Sequence, residues 1–368
     1  MIVGQLVASS GQTGVETHLI ALFRALARRG IRPVLCCPEA GPLTETLKAD
    51  GFDVRLVAPR GRFGLGDLAR LRAALADVTL VHAHGPRGIF WSALLRNYRR
   101  GRPAVATVHE LELTGASDPL RRRVYRPIER WSLARHDRLL AVSEDLARRL
   151  RERARIAPER VRVVPNCSSV LLAPRPGIVS RSTTGYAVIA ARLEPVKGVD
   201  LLLDAWGLLL ARGQAFPLRI LGEGSARPAL ERQAAALGLE GLVRFEGFVS
   251  DPVPTIAAAS LYVAPSRMEG LPGSVIEAMA LGVPVVATRV GGNIDVLAGV
   301  APEFLVDPED PAGLASAISH WRALPEPAAR ELRQRLQEES FRRFHPDVVA
   351  AQVAAIYAEL MDRPTIER

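Results

Sequence analysis

Apolar residues along this chain gather in short runs: IVGQLVA, PVLCC, DVRLVA, TLVHAH, PAVATV, RLLAVS and VRVVP. Longer stretches lie between most of them, and there apolar positions recur every three or four residues, as from Val15 to Arg29 and from Ser143 to Arg153. The short runs read as buried strands and the 3.6-residue recurrence as helices. Their alternation predicts parallel sheets covered on both faces. Asn166 to Gly185, rich in Pro, Gly, Ser and Thr, interrupts the pattern and reads as a linker. A second alternating set follows, with strands YAVIAA, PLRIL, LVRFEG, SLYVAP, VPVVAT and EFLV. The tail places Val348, Val349, Val353, Ile356, Tyr357 and Leu360 on one helical face. The expected fold class is therefore α/β, with two doubly wound, Rossmann-like domains facing each other across a cleft. Their expected bounds are residues 1–170 and 171–346, with a terminal helix in 347–368.

Length and composition fit this picture. A chain of 368 residues, 48% hydrophobic, exceeds one typical core and suits two folded domains. Its three cysteines, Cys36, Cys37 and Cys167, cannot form a disulfide framework, which points to a reducing, cytoplasmic compartment. MIVGQLVASSG lacks a basic start and reads as the first strand, not as a signal peptide. No apolar run approaches the roughly twenty residues that span a bilayer. The net charge of +9 is uneven: residues 1–170 hold 29 Arg and Lys against 16 Asp and Glu, and residues 171–368 hold 19 against 23. The richest stretch, Pro119 to Arg138, interleaves seven arginines with Leu120, Val124, Ile128, Trp131 and Leu133. It can be an interfacial helix drawn to anionic lipid at the inner face of a membrane. It can equally be a surface helix packed on its sheet, with Pro127 interrupting it. No nucleic-acid module or aromatic stacking platform accompanies the charge, so nucleic acid is not an expected partner.

Candidate chemistry concentrates in the second half. Within SRMEGLPGSVIEAMALGVPVVAT, Glu269 and Glu277 are separated by seven residues and flank Gly270, Leu271, Pro272 and Gly273, where a strand gives way to a helix. The first N–H groups of that helix have no partners within it and suit anions or sugar hydroxyls. Ser274-x-x-Glu277 also matches a capping box, so Glu277 has a structural explanation open to it. Glu269, at the carboxyl end of a strand, lies on the edge of an α/β sheet where ligands bind. Upstream, RLEPVKG sets Arg192 and Lys197 on one strand-to-helix loop, a guanidinium fork and a compact ammonium suited to a diphosphate. Only two of the 48 cationic side chains are lysines. No Asp-x-Asp triplet and no His/Cys cluster of metal-ligand spacing occurs, so neither a protein-held metal nor a cofactor is expected.

RLEPVKG followed by PSRMEGLPGSVIEAMALGVPVVAT strongly resembles the glycosyltransferases of family 4, which have the GT-B fold and an E-x7-E motif. The resemblance covers nearly the whole chain. Thr13-Gly14-Val15-Glu16 looks like the family's G-G-x-E turn, with Thr13 in place of the first glycine, and His109 in TVHE looks like its first-domain histidine. Ala141-Val142-Ser143, Val164-Pro165-Asn166, Gly222-Glu223-Gly224 and Phe245-Glu246-Gly247-Phe248 match further landmarks. What the resemblance implies is a retaining enzyme that moves a sugar from a nucleotide-diphosphate donor to an acceptor of unknown identity, held mainly by the first domain. It also implies that the terminal helix crosses back to the first domain. Glu269 would contact the donor sugar, Glu277 the two ribose hydroxyls, and Phe248 and Val249 the base. Arg192 and Lys197 would neutralise the departing diphosphate, and Gly14 would let backbone approach a phosphate. His109 would contact sugar or acceptor, with His84 of HAHG its nearest competitor and His82 packed inward. A nucleotide-sugar epimerase of similar fold, or a non-catalytic sugar-nucleotide-binding subunit, are the alternatives.

Overall fold

A computed structural model of the protein describes residues 1–8, 14–57, 65–98, 102–111, 119–172 and 185–362. It divides into two compact units, Met1–Ser169 with Pro346–Arg368, and Val170–His345. The first unit carries β1 (Ile2–Leu6), α1 (Gly14–Arg28), β2 (Arg32–Cys37), α2 (Pro42–Ala49), β3 (Asp53–Leu56), α3 (Leu65–Ala74) and β4 (Leu80–His84). It continues with α4 (Gly85–Tyr98), β5 (Ala104–Val108), α5 (Pro119–Leu133), β6 (Arg138–Ala141), α6 (Glu144–Glu152) and β7 (Val161–Val163). The second unit carries β8 (Ala187–Ala190), α7 (Val199–Ala211), β9 (Leu218–Leu221), α8 (Arg227–Ala236), β10 (Val243–Gly247), α9 (Val253–Ala258) and β11 (Leu261–Ala264). Then come α10 (Gly273–Ala280), β12 (Val285–Thr288), α11 (Gly291–Leu297), β13 (Leu305–Val306), α12 (Pro311–Ala323) and α13 (Glu326–Phe344). The last helix, α14 (Pro346–Met361), belongs to the first unit.

The first sheet runs β3-β2-β1-β4-β5-β6-β7 and the second β10-β9-β8-β11-β12-β13. The paired strands within both are parallel. In each sheet the chain starts near the middle, builds outward on one side and returns to build the other. This leaves one point where neighbouring strands send their crossovers in opposite directions. That point lies between β1 and β4 in the first sheet and between β8 and β11 in the second. Ligands of open α/β sheets bind beyond the carboxyl ends of the strands at this point. Most of the sequence-predicted residues sort onto these two places, while Phe248 and Val249 follow the edge strand β10.

Burial follows the apolar pattern. Central strands such as β5 and β11 are buried along their whole length, as strands sandwiched by helices must be. One core cluster joins Val3, Leu22, Leu26 and Leu80 to Val349, Val353, Tyr357 and Leu360, so α14 packs its apolar face against α1 and the sheet. Arg28 reaches Asp347 at 2.6 Å at the start of α14.

Two local expectations need correction. Pro127 does not interrupt α5, which continues through it to Leu133. The amide lost at the proline is offset where the apolar side is covered: Leu133 is buried, and Trp131 sits 6.2 Å from Phe90 of α4, ring centroid to centroid. Helix α10 begins at Gly273 with Pro272 as its N-cap and no side-chain cap. Glu277 is therefore in the second turn, beyond the third position that a capping box requires, and the structural explanation for that carboxylate falls away.

Candidate functional site

At the switch point of the second unit, the loop after β8 carries Arg192 and a single 3-10 turn, Pro195–Lys197. The loop after β11 carries Ser266 to Pro272. The structure ties the two together. Lys197 Nζ donates to Glu269 Oε1 at 2.7 Å, and the same oxygen accepts from Ser266 Oγ at 2.6 Å. The lysine side chain is 21% exposed and the glutamate 10%. Ammonium and carboxylate thus meet beyond the ends of the strands, each still partly accessible.

The surroundings hold this pair in place. Arg267 donates to both carboxylate oxygens of Asp200 at 2.7 Å, to Pro195 O at 2.7 Å and to Glu309 at 2.6 Å, while its own amide donates to Val196 O at 2.8 Å. Its guanidinium therefore pins the lysine-bearing turn to the loop that bears the glutamate. Gly198 ends that turn in the left-handed region at φ 64°, and a Cβ there would lie 2.1 Å from Pro265 O, so only glycine fits. Gly291 and Gly292, opening α11, lie under the Glu269–Gly270 backbone: added Cβ atoms would meet Glu269 O at 2.0 Å and Gly270 O at 2.3 Å. Thr288 Oγ1 donates to Ser266 O at 2.5 Å and Asn293 Nδ2 to Thr288 O at 3.0 Å. Beneath them the buried Tyr262 hydroxyl, which accepts from the Ala190 amide at 3.2 Å, sits 2.7 Å from Ser274 Oγ, linking β8, β11 and α10. Burial holds that phenol neutral by pushing its pKa up.

Arg192 is exposed in the same loop, and Glu277 is half-buried on α10. Leu271 and Pro272 are buried, and Gly270 is half-buried in the turn between the two glutamates. Phe248 is 63% exposed just past β10, an unusual position for a phenylalanine, and Val249 beside it is half-buried. Among the described residues, no group of three His, Cys, Asp or Glu side chains is arranged to hold a metal ion.

The switch point of the first unit gathers histidines. Gly14 is the first residue of α1, and Thr13, the departure from the glycine turn, lies outside the described residues. His109 follows β5, and both its ring nitrogens are buried without a hydrogen-bond partner among the described residues. Burial lowers its pKa to about 4, opposed by the neighbouring Asn166 side chain, so the imidazole is neutral near pH 7. His84, the last residue of β4, lies 5.8 Å from His109 between ring centroids, and His18 of α1 lies 5.8 Å from His109 and 6.3 Å from His84. His18 Nδ1 accepts the Cys167 amide at 3.0 Å, which clamps the segment after β7, including Asn166, against α1. Its pKa drops to about 3 through burial and then through His109. His82 is fully buried, and both its ring nitrogens are engaged.

Several of these residues escape a linear reading. Ser266, Gly198 and the Gly291-Gly292 pair matter because strands far apart in sequence end side by side. The VGGN segment after VPVVAT was the available signal, a glycine pair closing a strand. His18 lies in a helix and carries no motif of its own.

The geometry stands alongside similarities to known proteins. Residues 12–168 match the family described as Glycosyltransferase Family 4, and residues 185–322 the family described as Glycosyl transferases group 1. The chain is 28% identical over 357 residues to 2-deoxystreptamine glucosyltransferase of Streptomyces kanamyceticus, covering 87% of this chain and 92% of that protein. It is 32% identical over 324 residues to MMP alpha-(1->4)-mannosyltransferase of Mycolicibacterium hassiacum, covering 82% and 75%. Its fold is similar to that of Anabaena HepE, whose crystal structure holds UDP-glucose, with a TM-score of 0.81, 22% identity, and coverage of 98% and 100%.

Proposed function

The chain belongs to the glycosyltransferases of family 4, and from that premise we propose that it moves a sugar from a nucleotide diphosphate to an acceptor hydroxyl, retaining the anomeric configuration and using no protein-held metal. One observation carries the reading: the Lys197–Glu269 pair at the switch point of the second unit, held by Ser266 and backed by the glycines at Gly291 and Gly292. A lysine paired with a glutamate is half-neutralised, and a diphosphate arriving at the ammonium competes with the carboxylate. Glu269 is then released to accept from donor-sugar hydroxyls, so ligand entry exchanges one pair of contacts for two.

In this reading Arg192 and Lys197 hold the diphosphate, and their attraction grows as charge builds on the leaving oxygen, the differential binding that lowers a barrier. Glu277 offers two acceptor oxygens to the two ribose hydroxyls, and Phe248 and Val249 flank the base. Gly270, Leu271 and Pro272 form the turn that sets the two carboxylates apart, and Gly14, the first residue of α1, leaves room for backbone N–H groups to approach a phosphate. The sequence offers no nucleophile pair of the glycosidase kind, and a site rich in cations and poor in bases favours a front-face displacement in which the leaving phosphate oxygen takes the acceptor's proton. The donor is a nucleotide-diphosphate sugar, in keeping with HepE, whose structure holds UDP-glucose. No described helix is long and apolar enough to cross a membrane. On α5, Arg123, Arg126 and Arg130 are exposed beside Tyr125, 52% exposed, and Ile128, 40% exposed, which supports peripheral contact with an anionic membrane.

The test is a thermal-shift screen against nucleotide diphosphates and their sugars, followed by NMR of the product. A stabilising nucleotide, turnover that persists in EDTA and a retained anomeric configuration are expected. An inverted product ends the front-face reading, and turnover that stops with chelation ends the metal-free one.

A further inference from the structure

Five buried polar side chains of the first unit form one continuous chain of hydrogen bonds. Thr107 Oγ1 is 2.7 Å from His82 Nε2, and His82 Nδ1 is 2.5 Å from Tyr357 Oη on α14. Gln5 Nε2 donates to Tyr357 Oη at 3.1 Å, and Gln5 Oε1 is 2.7 Å from His84 Nε2. None of the five is more than 3% exposed. Each member constrains the next. Because Gln5 donates to the phenol oxygen, the phenol proton is left for His82 Nδ1, and in that arrangement His82 donates from Nε2 to Thr107. Because Gln5 Oε1 can only accept, His84 carries its proton on Nε2. A neutral imidazole protonated there has a bare lone pair on Nδ1, and that atom is buried without a partner among the described residues. Burial, then the neighbouring His82, holds His84 well below the usual histidine pKa and keeps it neutral.

The bare nitrogen sits at the end of β4, beside β1, at the switch point of this sheet. The His109 ring, 5.8 Å away, holds the other two unpartnered nitrogens of the cluster. A lone unsatisfied acceptor in a buried position costs free energy unless a ligand or water supplies a proton to it. The chain runs from Tyr357 through Gln5, so the terminal helix α14 bears on which nitrogen of a strand residue carries the proton.

We propose that His84 is a substrate-contacting residue that accepts a hydrogen bond from a sugar hydroxyl through Nδ1, and that Gln5 and Tyr357 are positioning residues that fix its tautomer. This rests on the sugar-transfer reading for the class of ligand alone. The hydroxyl belongs either to the donor sugar or to a sugar-bearing acceptor.

Nitrogen NMR of the full chain labelled at histidine, with His84 assigned by His84→Asn, tests this directly. The expected spectrum near pH 7 shows His84 protonated on Nε2. Its Nδ1 resonance should move upfield on adding UDP-glucose but not UDP if the donor sugar supplies the hydroxyl, or on adding methyl α-glucoside alone if the acceptor does. A proton on Nδ1, or no response to either sugar, overturns the proposal. Gln5→Leu should mix the two tautomers and weaken the sugar response, whereas Gln5→Glu, still an acceptor for Nε2–H, should preserve both. Unchanged spectra in Gln5→Leu would remove the positioning role. His84→Ala should lower sugar affinity on the order of tenfold, and His84→Asn, which restores an acceptor near the Nδ1 position, should recover most of it. Failure of UDP to stabilise the protein would sink the nucleotide reading while leaving the His84 tautomer measurable.

Discussion

Replacing Lys197 with methionine separates what the Lys197–Glu269 pair does for folding from what it does for transfer. Methionine keeps most of the apolar stem and removes the charge. At 2.7 Å and an effective dielectric near 20, the pair attracts by about 6 kcal/mol before desolvation is counted. Taking both groups from water offsets most of this. Glu269 keeps its bond from Ser266 in the variant but stays only 10% exposed with an uncompensated charge. A net loss of stability on the order of 2 kcal/mol follows. Transfer should suffer more, because the ammonium meets charge that grows on the leaving diphosphate: about 2.7–4 kcal/mol, or 10²- to 10³-fold in kcat. The double variant Lys197→Met/Glu269→Gln leaves no buried charge, so it should recover stability to within about 1 kcal/mol of the parent without recovering turnover. The assays are equilibrium unfolding and release of nucleotide diphosphate from whichever nucleotide sugar stabilises the protein. A single variant that loses stability yet keeps kcat within about threefold of the parent would show the pair to be a structural clasp and refute the phosphate role.

Glu277→Gln should weaken nucleotide binding while Glu269→Gln leaves free-nucleotide affinity nearly intact and depresses transfer, so equal losses by calorimetry would refute the division of roles. Gly292→Ala, whose Cβ would meet Gly270 O at 2.3 Å, should cost roughly 1–3 kcal/mol and displace the Glu269–Gly270 turn, whereas Gly299→Ala, with open space around it, should be nearly silent in thermal melts. Stability should fall as pH drops from about 6.5 towards 4, because burial lowers His109 to about 4, so that between these values the unfolded chain binds protons the native one does not; a melting temperature that rises on acidification across this range would contradict it. Replacing Arg123, Arg126 and Arg130 with Gln should weaken binding to anionic vesicles by about 1 kcal/mol per charge, an effect erased by salt, and co-sedimentation of the parent with neutral and anionic vesicles alike would remove the electrostatic argument.

The strands and most helices were legible in the sequence because burial leaves a local trace: a strand covered on both faces must be apolar throughout, and a covered helix must be apolar every third or fourth residue. The loop residues Arg192, Lys197 and Glu269 were legible for a related reason, since each breaks the apolar pattern after a strand, and Glu277 on α10 was legible by its spacing from Glu269. Local pattern misjudged two places. At Pro127 the packing of α5 overrode a helix-breaking residue, and at Ser274 a capping signature was left unused because the helix is capped two residues earlier, at Pro272.

By itself the sequence determined the α/β class, the two alternating sets of elements, the family and the residue types that could carry chemistry, since all of these reside in order and spacing along the chain. Partners were decided only by the tertiary structure. Lys197 and Glu269 meet because β8 and β11, far apart in sequence, are neighbours in the sheet and end at its switch point. Gly292 is required because α11 passes beneath the backbone of Gly270. His84 is linked to a tyrosine on the last helix through a glutamine on the first strand. Contacts of that kind have no periodicity and no fixed spacing, because hydrogen bonds and steric limits act over a few ångströms in space, whatever number of residues separates the groups.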